Sequence, residues 1–230
     1  MGGQGEATSG IVLAGGASRR MGRNKAWVEL DGKPLVLRVI EALRRVCDEI
    51  IVVVNDTTGY EQLGVRLTGD VFPNTGSLGG IYSGLRAAKN EFAIAVACDM
   101  PFLNPALLEY LLGLAPGFDA VIPSVPDERK AQQKKDKGEA RPKTAKDFHL
   151  HPLHAVYAKT CLSAMEQAIR REDLRMISFH DAVRVRIVEA SELDSRDPQR
   201  LSFWNVNTPG ELARAEEFLR RETHAKSWRT

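Results

Sequence analysis

The chain has 230 residues, 43% of them hydrophobic and 27% charged, which suits one folded domain with a sizeable core and excludes a disordered, collagenous or fibrous polymer. Its longest apolar runs, residues 50–54 and 92–98, fall far short of the roughly 20 residues needed to cross a bilayer, so no membrane partner is expected. Thirty-two basic against 30 acidic residues leave a net charge of +2, which gives no argument for nucleic acid or for a membrane surface.

Residues 1–10 are polar and glycine-rich and lack the apolar core of a secretory signal, so they read as a loose lead-in and the expected location is cytoplasmic. Residues 11–13 form the first predicted strand, and a glycine-rich loop follows. After the Asp31-Gly32 turn and Pro34, Leu35, Val39, Ile40, Leu43 and Val46 recur at helical spacing, and residues 50–54 are a fully buried strand behind them. Residues 65–67 are a weaker strand. A second glycine-rich loop, Thr75-Gly76-Ser77-Leu78-Gly79-Gly80, opens a helix that runs to about residue 89. Residues 92–98 make another buried strand, ended by Asp99-Met100-Pro101, and Asn104-Pro105 caps and starts a helix to residue 112. Residues 120–122 are a further strand.

From 127 to 147 the periodicity stops, and Lys and Arg outnumber Asp and Glu in a segment without large apolar side chains. It is expected to be a solvated insertion loop, with a basic lid over an anionic substrate as the alternative. Lacking interleaved aromatics, it gives no support for nucleic-acid binding. Order resumes at His151-Pro152-Leu153-His154, with a helix over 160–171 and a strand over 184–188. Thr208-Pro209-Gly210-Glu211 is a capping box leading a helix with Leu212, Ala215 and Leu219 on one face. Alternating strands and helices predict a doubly wound, mostly parallel α/β sheet with helices on both faces. The expected organisation is one domain over residues 11–222 with a loose tail at 223–230. Cys47, Cys98 and Cys161 are scattered and form no C-x-x-C pair, so neither a disulfide framework nor a zinc site is expected.

The informative stretch is Leu13-Ala14-Gly15-Gly16-Ala17-Ser18-Arg19-Arg20-Met21-Gly22-Arg23-Asn24-Lys25, directly after the first strand. Consecutive glycines let backbone N–H groups approach an anion, and Arg19, Arg20 and Lys25 supply cations, which outlines a triphosphate cradle. It contains neither G-x-x-x-x-G-K-[ST] nor G-x-G-x-x-G, and a glycine-rich turn with exposed basic residues is the bland alternative. Asp99 ends a buried strand at the edge where open α/β sheets bind ligands, so its carboxylate either holds a divalent cation or caps the following turn. Asn205 and Asn207 alternate in an extended segment and share one face, opposite Val206. His151 and His154 lack the company of a metal site and read as structural, with substrate contact as the alternative.

The L-A-G-G-x-S-x-R-M-G-x-x-K loop resembles the signature of nucleotidyltransferases, and in this form most resembles the molybdenum cofactor guanylyltransferases, the MobA family. The remaining motifs follow in order: Ile51-Val52-Val53-Val54-Asn55, Asp70, Gly76-Ser77-Leu78-Gly79-Gly80-Ile81, Cys98-Asp99-Met100-Pro101-Phe102, His151-Pro152-Leu153-His154-Ala155 and Asn205-Val206-Asn207-Thr208-Pro209. The resemblance implies an Mg2+-dependent Rossmann-like enzyme that transfers GMP from GTP to molybdopterin, in its molybdenum-loaded form Mo-molybdopterin, and releases pyrophosphate. Other proteins of cofactor biosynthesis or delivery would be its partners. By the same resemblance Leu13, Ala14, Gly15 and Gly16 lie against the nucleotide, Lys25 and Arg20 hold its phosphates and act in catalysis, and Asp99 binds the metal. Asn55, Asp70, Gly79 and Gly80 fall at nucleotide-side positions, and Asn205 and Asn207 on the pterin side. The family loop reads Gly-Pro-Leu where this chain has Gly76-Ser77-Leu78, which frees an N–H and loosens that turn. A cytidylyltransferase for the same cofactor, a sugar-phosphate nucleotidyltransferase and a non-catalytic nucleotide-binding regulatory module remain open as alternatives. Lys25 is expected on an exposed loop.

Overall fold

A computed structural model describes residues 6–15, 24–126 and 148–227, with side chains to residue 222. Gly16 and Arg20, and the charged segment 127–147, lie outside the described residues. The strands are β1 (Thr8–Leu13), β2 (Glu29–Leu30), β3 (Lys33–Pro34), β4 (Glu49–Val53), β5 (Arg66–Thr68), β6 (Phe92–Ala97), β7 (Ala120–Pro126), β8 (Phe148–Leu150), β9 (His154–Ala158) and β10 (Val185–Glu189). The helices are α1 (Leu35–Leu43), α2 (Gly76–Ala87), α3 (Pro105–Gly113), α4 (Cys161–Arg170), α5 (Ala190–Leu193) and α6 (Pro209–Ser227). None of these helices is long and apolar enough to cross a membrane.

One eight-stranded sheet runs β10-β7-β9-β6-β1-β4-β5, with β8 paired to β7. β1, β4, β5 and β6 are mutually parallel, as are β7 and β10, whereas β9 runs antiparallel between β6 and β7. The mostly parallel, doubly wound sheet expected from the alternation of elements is therefore present, with one reversed strand in its middle. The reversal follows from connectivity: the chain leaves β7 and returns through β8 and β9, both antiparallel to it, and without a crossover helix between them in the described residues no parallel return is built.

Strand alternation sends Val12, Val52, Ile94, Val96, Val121 and Val156 to one face, against α1 and α3, through Val36, Val39, Ile40, Leu43, Leu107, Leu108 and Leu111. Ile11, Val53, Ala93, Ala95, Ile122 and Tyr157 face the other way, onto Leu78, Ile81 and Leu85 of α2 and Met165 and Ile169 of α4. Each fully buried large aliphatic side chain contributes about 1.5–3 kcal/mol, so the two layers hold the sheet from both sides. α2 lies so close to the sheet that a Cβ at Gly84 would stand 2.5 Å from Ile11 Cγ2.

Two boundaries differ from expectation. β1 starts at Thr8, inside the expected lead-in, because Thr8 pairs with Phe92, its N–H donates to Asp48 Oδ2 at 2.9 Å, and Ser9 Oγ donates to Glu49 Oε2 at 3.0 Å. The last helix continues to Ser227, past residue 222, since no Gly or Pro follows to stop it. The Asp31-Gly32 turn, found where the sequence placed it, closes the β2–β3 hairpin with φ of 52° and 69°, the left-handed pair that a two-residue hairpin turn requires. A small cluster of Val28, Leu30, Leu35, Val206 and Ala215 packs this hairpin against α6. That contact carries Lys25 and Asn207 toward each other.

Candidate active site

The candidate site lies along the edge formed by the carboxyl ends of β4, β1 and β6. At Leu13 the chain leaves the sheet: Leu13 O accepts from Cys98 N and Ala14 N donates to Val53 O, both at 3.1 Å. Leu13 is half-buried, Ala14 buried and Gly15 exposed. A Cβ at Gly15 would meet nothing nearer than Val53 O at 3.8 Å, so packing alone does not require a glycine there.

The chain re-enters at Asn24, which starts a 3-10 turn over Lys25–Trp27. Asn24 Oδ1 accepts from Ala26 N at 3.1 Å and Asn24 Nδ2 donates to Tyr60 Oη at 3.1 Å. This turn corrects the expectation that Lys25 sits on an exposed loop. Its side chain is 21% exposed and its Nζ stands 3.2 Å from Asp99 Oδ2, while also donating to Asn207 Oδ1. The tether at Tyr60 and the hairpin packing draw the lysine over the sheet edge.

Asp99 is buried just past the end of β6, its side chain 12% exposed. Burial pushes its carboxyl above the usual carboxylate range, and the Lys25 ammonium opposes that shift without cancelling it. Its second oxygen, Oδ1, has no hydrogen-bond partner among the described residues. A buried carboxylate oxygen left without a donor is costly, and a cation is one chemical group that would satisfy it. The Asp99 backbone is itself clamped, its C=O accepting from Val206 N at 2.9 Å.

Lys25, Asp99 and Asn207 are thus brought together from three distant parts of the chain. Asn55 and Asp70 form a second pair, where β4 and β5 end: Asn55 Nδ2 donates to Asp70 Oδ2 at 2.8 Å, and Asp70 N donates to Asn55 Oδ1 at 2.7 Å. Val206 is fully buried, with Asn205 and Asn207 half-buried, which is the expected alternation. Only Asn207 of that pair joins the lysine.

Gly79 and Gly80 are buried and face protein. A Cβ at Gly79 would fall 1.7 Å from Thr75 Oγ1, and one at Gly80 would stand 3.1 Å from Leu13 Cδ2. The close approach they permit is that of α2 to its own preceding turn and to the end of β1. His154 is fully buried and His151 half-buried, each ring 4.7 Å from Phe203. Burial lowers their pKa values to about 3 and about 4 respectively, so both are neutral side chains packed beside an aromatic ring, as their structural role predicts.

Sequence reasoning missed the reach of Glu211. The capping box was legible, and Glu211 N does donate to Thr208 Oγ1 at 3.2 Å. The carboxylate, however, goes one residue further back than the usual box, and Glu211 Oε2 accepts from Asn207 N at 2.8 Å.

The sequence model of the family described as MobA-like NTP transferase domain matches residues 10–185. A molybdenum cofactor guanylyltransferase of Desulfosudis oleivorans is 35% identical over 217 residues, covering 94% of this chain and 97% of that protein. The crystal structure of molybdopterin-guanine dinucleotide biosynthesis protein A from Archaeoglobus fulgidus superposes with a TM-score of 0.73 at 29% identity, over 93% of this chain and 99% of that one. At 16% identity, the 2-C-methyl-D-erythritol 4-phosphate cytidylyltransferase of Thermus thermophilus shares the fold, with a TM-score of 0.62 over 91% of this chain and 98% of its own.

Proposed function

Because the chain belongs to the MobA-like NTP transferase family, we propose that this nucleotidyltransferase is a molybdenum cofactor guanylyltransferase acting in the cytoplasm. In the reaction, a terminal phosphate oxygen of molybdopterin, or of its molybdenum-loaded form, attacks the α-phosphorus of GTP. The bond to the β-phosphate oxygen breaks, pyrophosphate leaves, and a guanine dinucleotide form of the cofactor is released. The observation that carries the proposal is the part-buried Lys25–Asp99 pair, standing where the chain re-enters the sheet edge after the glycine-rich loop, with Asp99 Oδ1 accepting no hydrogen bond from the described residues.

Phosphoryl-group transfer of this kind needs alignment and charge neutralisation more than a protein nucleophile. The nucleotide lies along the main chain of Leu13, Ala14 and Gly15, with Gly16, outside the described residues, assigned to the same role, and Asn55 and Asp70 present a hydrogen-bonded polar pair at its nucleoside end. Gly79 and Gly80 serve the same surface by letting the first turn of α2 pack against Leu13. Lys25, with Arg20, carries positive charge to the phosphates and to the departing pyrophosphate. Asn205 and Asn207 face the acceptor half of the edge. Asp99 suits a divalent cation of the Mg2+ type, a hard ion that takes one or two carboxylates and completes its shell with phosphate oxygens and water. Bound there, such an ion neutralises charge on the phosphates. Among the described residues no group of three or more acidic, His or Cys side chains stands ready to hold a metal.

The test is pyrophosphate release with Mg2+ and each of GTP, CTP and ATP, with and without molybdopterin. Release that requires molybdopterin and prefers GTP is the expected result. Preference for CTP would make the chain a cytidylyltransferase, and nucleotide binding without release would make it a regulatory module.

A further inference from the structure

We infer that Glu211 is a positioning residue for Lys25, acting through Asn207. The inference rests on the proposed role of Lys25 at the phosphates. Three contacts in series carry it. The Glu211 carboxylate accepts the Asn207 N–H at 2.8 Å, the Asn207 amide oxygen accepts from Lys25 Nζ, and that ammonium lies 3.2 Å from Asp99 Oδ2.

An ordinary capping box would direct Glu211 to the N–H of Thr208, the residue that caps the helix. Here Glu211 instead fixes the residue before it. The next residue upstream, Val206, is fully buried and donates its N–H to Asp99 O at 2.9 Å. The main chain at Asn207 is therefore held from both sides, by α6 behind it and by the end of β6 in front, which fixes the point from which its amide reaches Lys25. This matters because a lysine has four rotatable side-chain bonds and an ammonium with no fixed hydrogen-bond geometry. Asp99 alone would hold it as a point charge, through the single oxygen Oδ2. A neutral amide oxygen gives the ammonium a second partner besides Asp99, and it adds no further negative charge to a site that would receive a polyphosphate.

The experiment compares Glu211→Ala, Glu211→Gln and Lys25→Ala in the GTP-dependent pyrophosphate assay, with the thermal midpoint of each. Loss of positioning in Glu211→Ala is expected to lower kcat by about 10–100-fold while KM for GTP moves less than about 3-fold. Glu211→Gln is expected within about 3-fold of the parent, because its amide oxygen still accepts the Asn207 N–H. A residue that only capped the helix would lower the thermal midpoint and leave kcat alone. Parent-like kcat in Glu211→Ala where Lys25→Ala is inactive overturns this inference and leaves the proposed function standing, as does a Glu211→Gln variant no better than Glu211→Ala. Parent-like turnover in Lys25→Ala overturns the role of Lys25 and the inference with it. If Glu211→Ala yields no folded protein, Asn207→Ala decides in its place, since it removes the amide oxygen from Lys25 and leaves the Glu211 contact to a backbone N–H; unchanged kcat there overturns the inference.

Discussion

Asp119, at the base of β7, and Asp99, just past the top of β6, sit at opposite edges of one sheet and meet opposite fates. Asp119 accepts from the Arg184 guanidinium at 3.1 and 3.2 Å, from Arg184 N at 2.8 Å and from Thr160 Oγ1 at 2.7 Å. The Arg184 side-chain bonds, with the backbone and Thr160 bonds, hold its carboxyl far below the usual range. Glu49 on the same lower edge is treated likewise: burial works against its charge, but bonds from Lys89 N, Ser9 Oγ and Arg66 outweigh it and lower its pKa. Asp99 is buried with one oxygen on a lysine and the other on nothing described. The two lower-edge carboxylates thus have their oxygens bonded by the chain, whereas Asp99 Oδ1 accepts no hydrogen bond from the described residues.

That division can be tested by substitution, beginning with the edge that holds the candidate site. Lys25→Ala and Asp99→Asn should each lower GTP-dependent pyrophosphate release by about 10²–10³-fold, as removal of a charge-stabilising group does. Cooperative unfolding should survive in both, and Asp99→Asn should also lose the response to added Mg2+. Near-parent turnover in either would put the chemistry elsewhere.

The buried histidines beside that edge set the next effect. Their folded pKa values, about 3 for His154 and about 4 for His151, lie below the unfolded value near 6.5. Below pH ~6.5 the unfolded chain takes up protons that the fold refuses, so stability is complete above that pH and falls as the pH drops toward 4, by about 1.4 kcal/mol per unit for each histidine. Urea unfolding across this range should show the slope, and His154→Leu should flatten it by one proton; an unchanged slope would mean that the ring titrates normally.

At the opposite edge, Asp119→Ala should cost about 1–3 kcal/mol of stability through its lost charge-assisted bonds, with kcat unchanged. A fall in kcat would show that the two edges are coupled. The smallest change is expected at Gly80→Ala, where the new Cβ meets only the flexible end of Leu13 at 3.1 Å. Stability should move by less than about 1 kcal/mol, and any effect should appear in KM for GTP, because Leu13 is what shifts.

Much of this architecture is local and could be read without coordinates. Helical spacing from Leu35 to Leu43, the apolar run of β6 with Asp99 after it, the Asp31-Gly32 turn and the cap at Thr208 are each specified by residues within a few positions of one another. The position of Asp99 at a strand end and the glycine loop before Lys25 came from the same short-range patterns, while the metal role expected of Asp99 came mostly from the family resemblance. β9 was not read as a strand, because it has only five residues and carries no polar–apolar alternation, and its reversed direction depends on what the chain does between elements. The glycines at 79 and 80 were legible as sites of close approach, but not what approaches them.

Sequence alone thus determined the order and type of most elements, β9 excepted, and the candidate residues for the chemistry, since propensity, capping and hydrophobic period act over one or two turns of chain. The meeting of Lys25 with Asp99, 74 positions away, and with Asn207, 182 positions away, was decided by tertiary structure. Ammonium, carboxylate and amide attract only within a few ångströms, and nothing short of the packed sheet, the β2–β3 hairpin and α6 brings them that near.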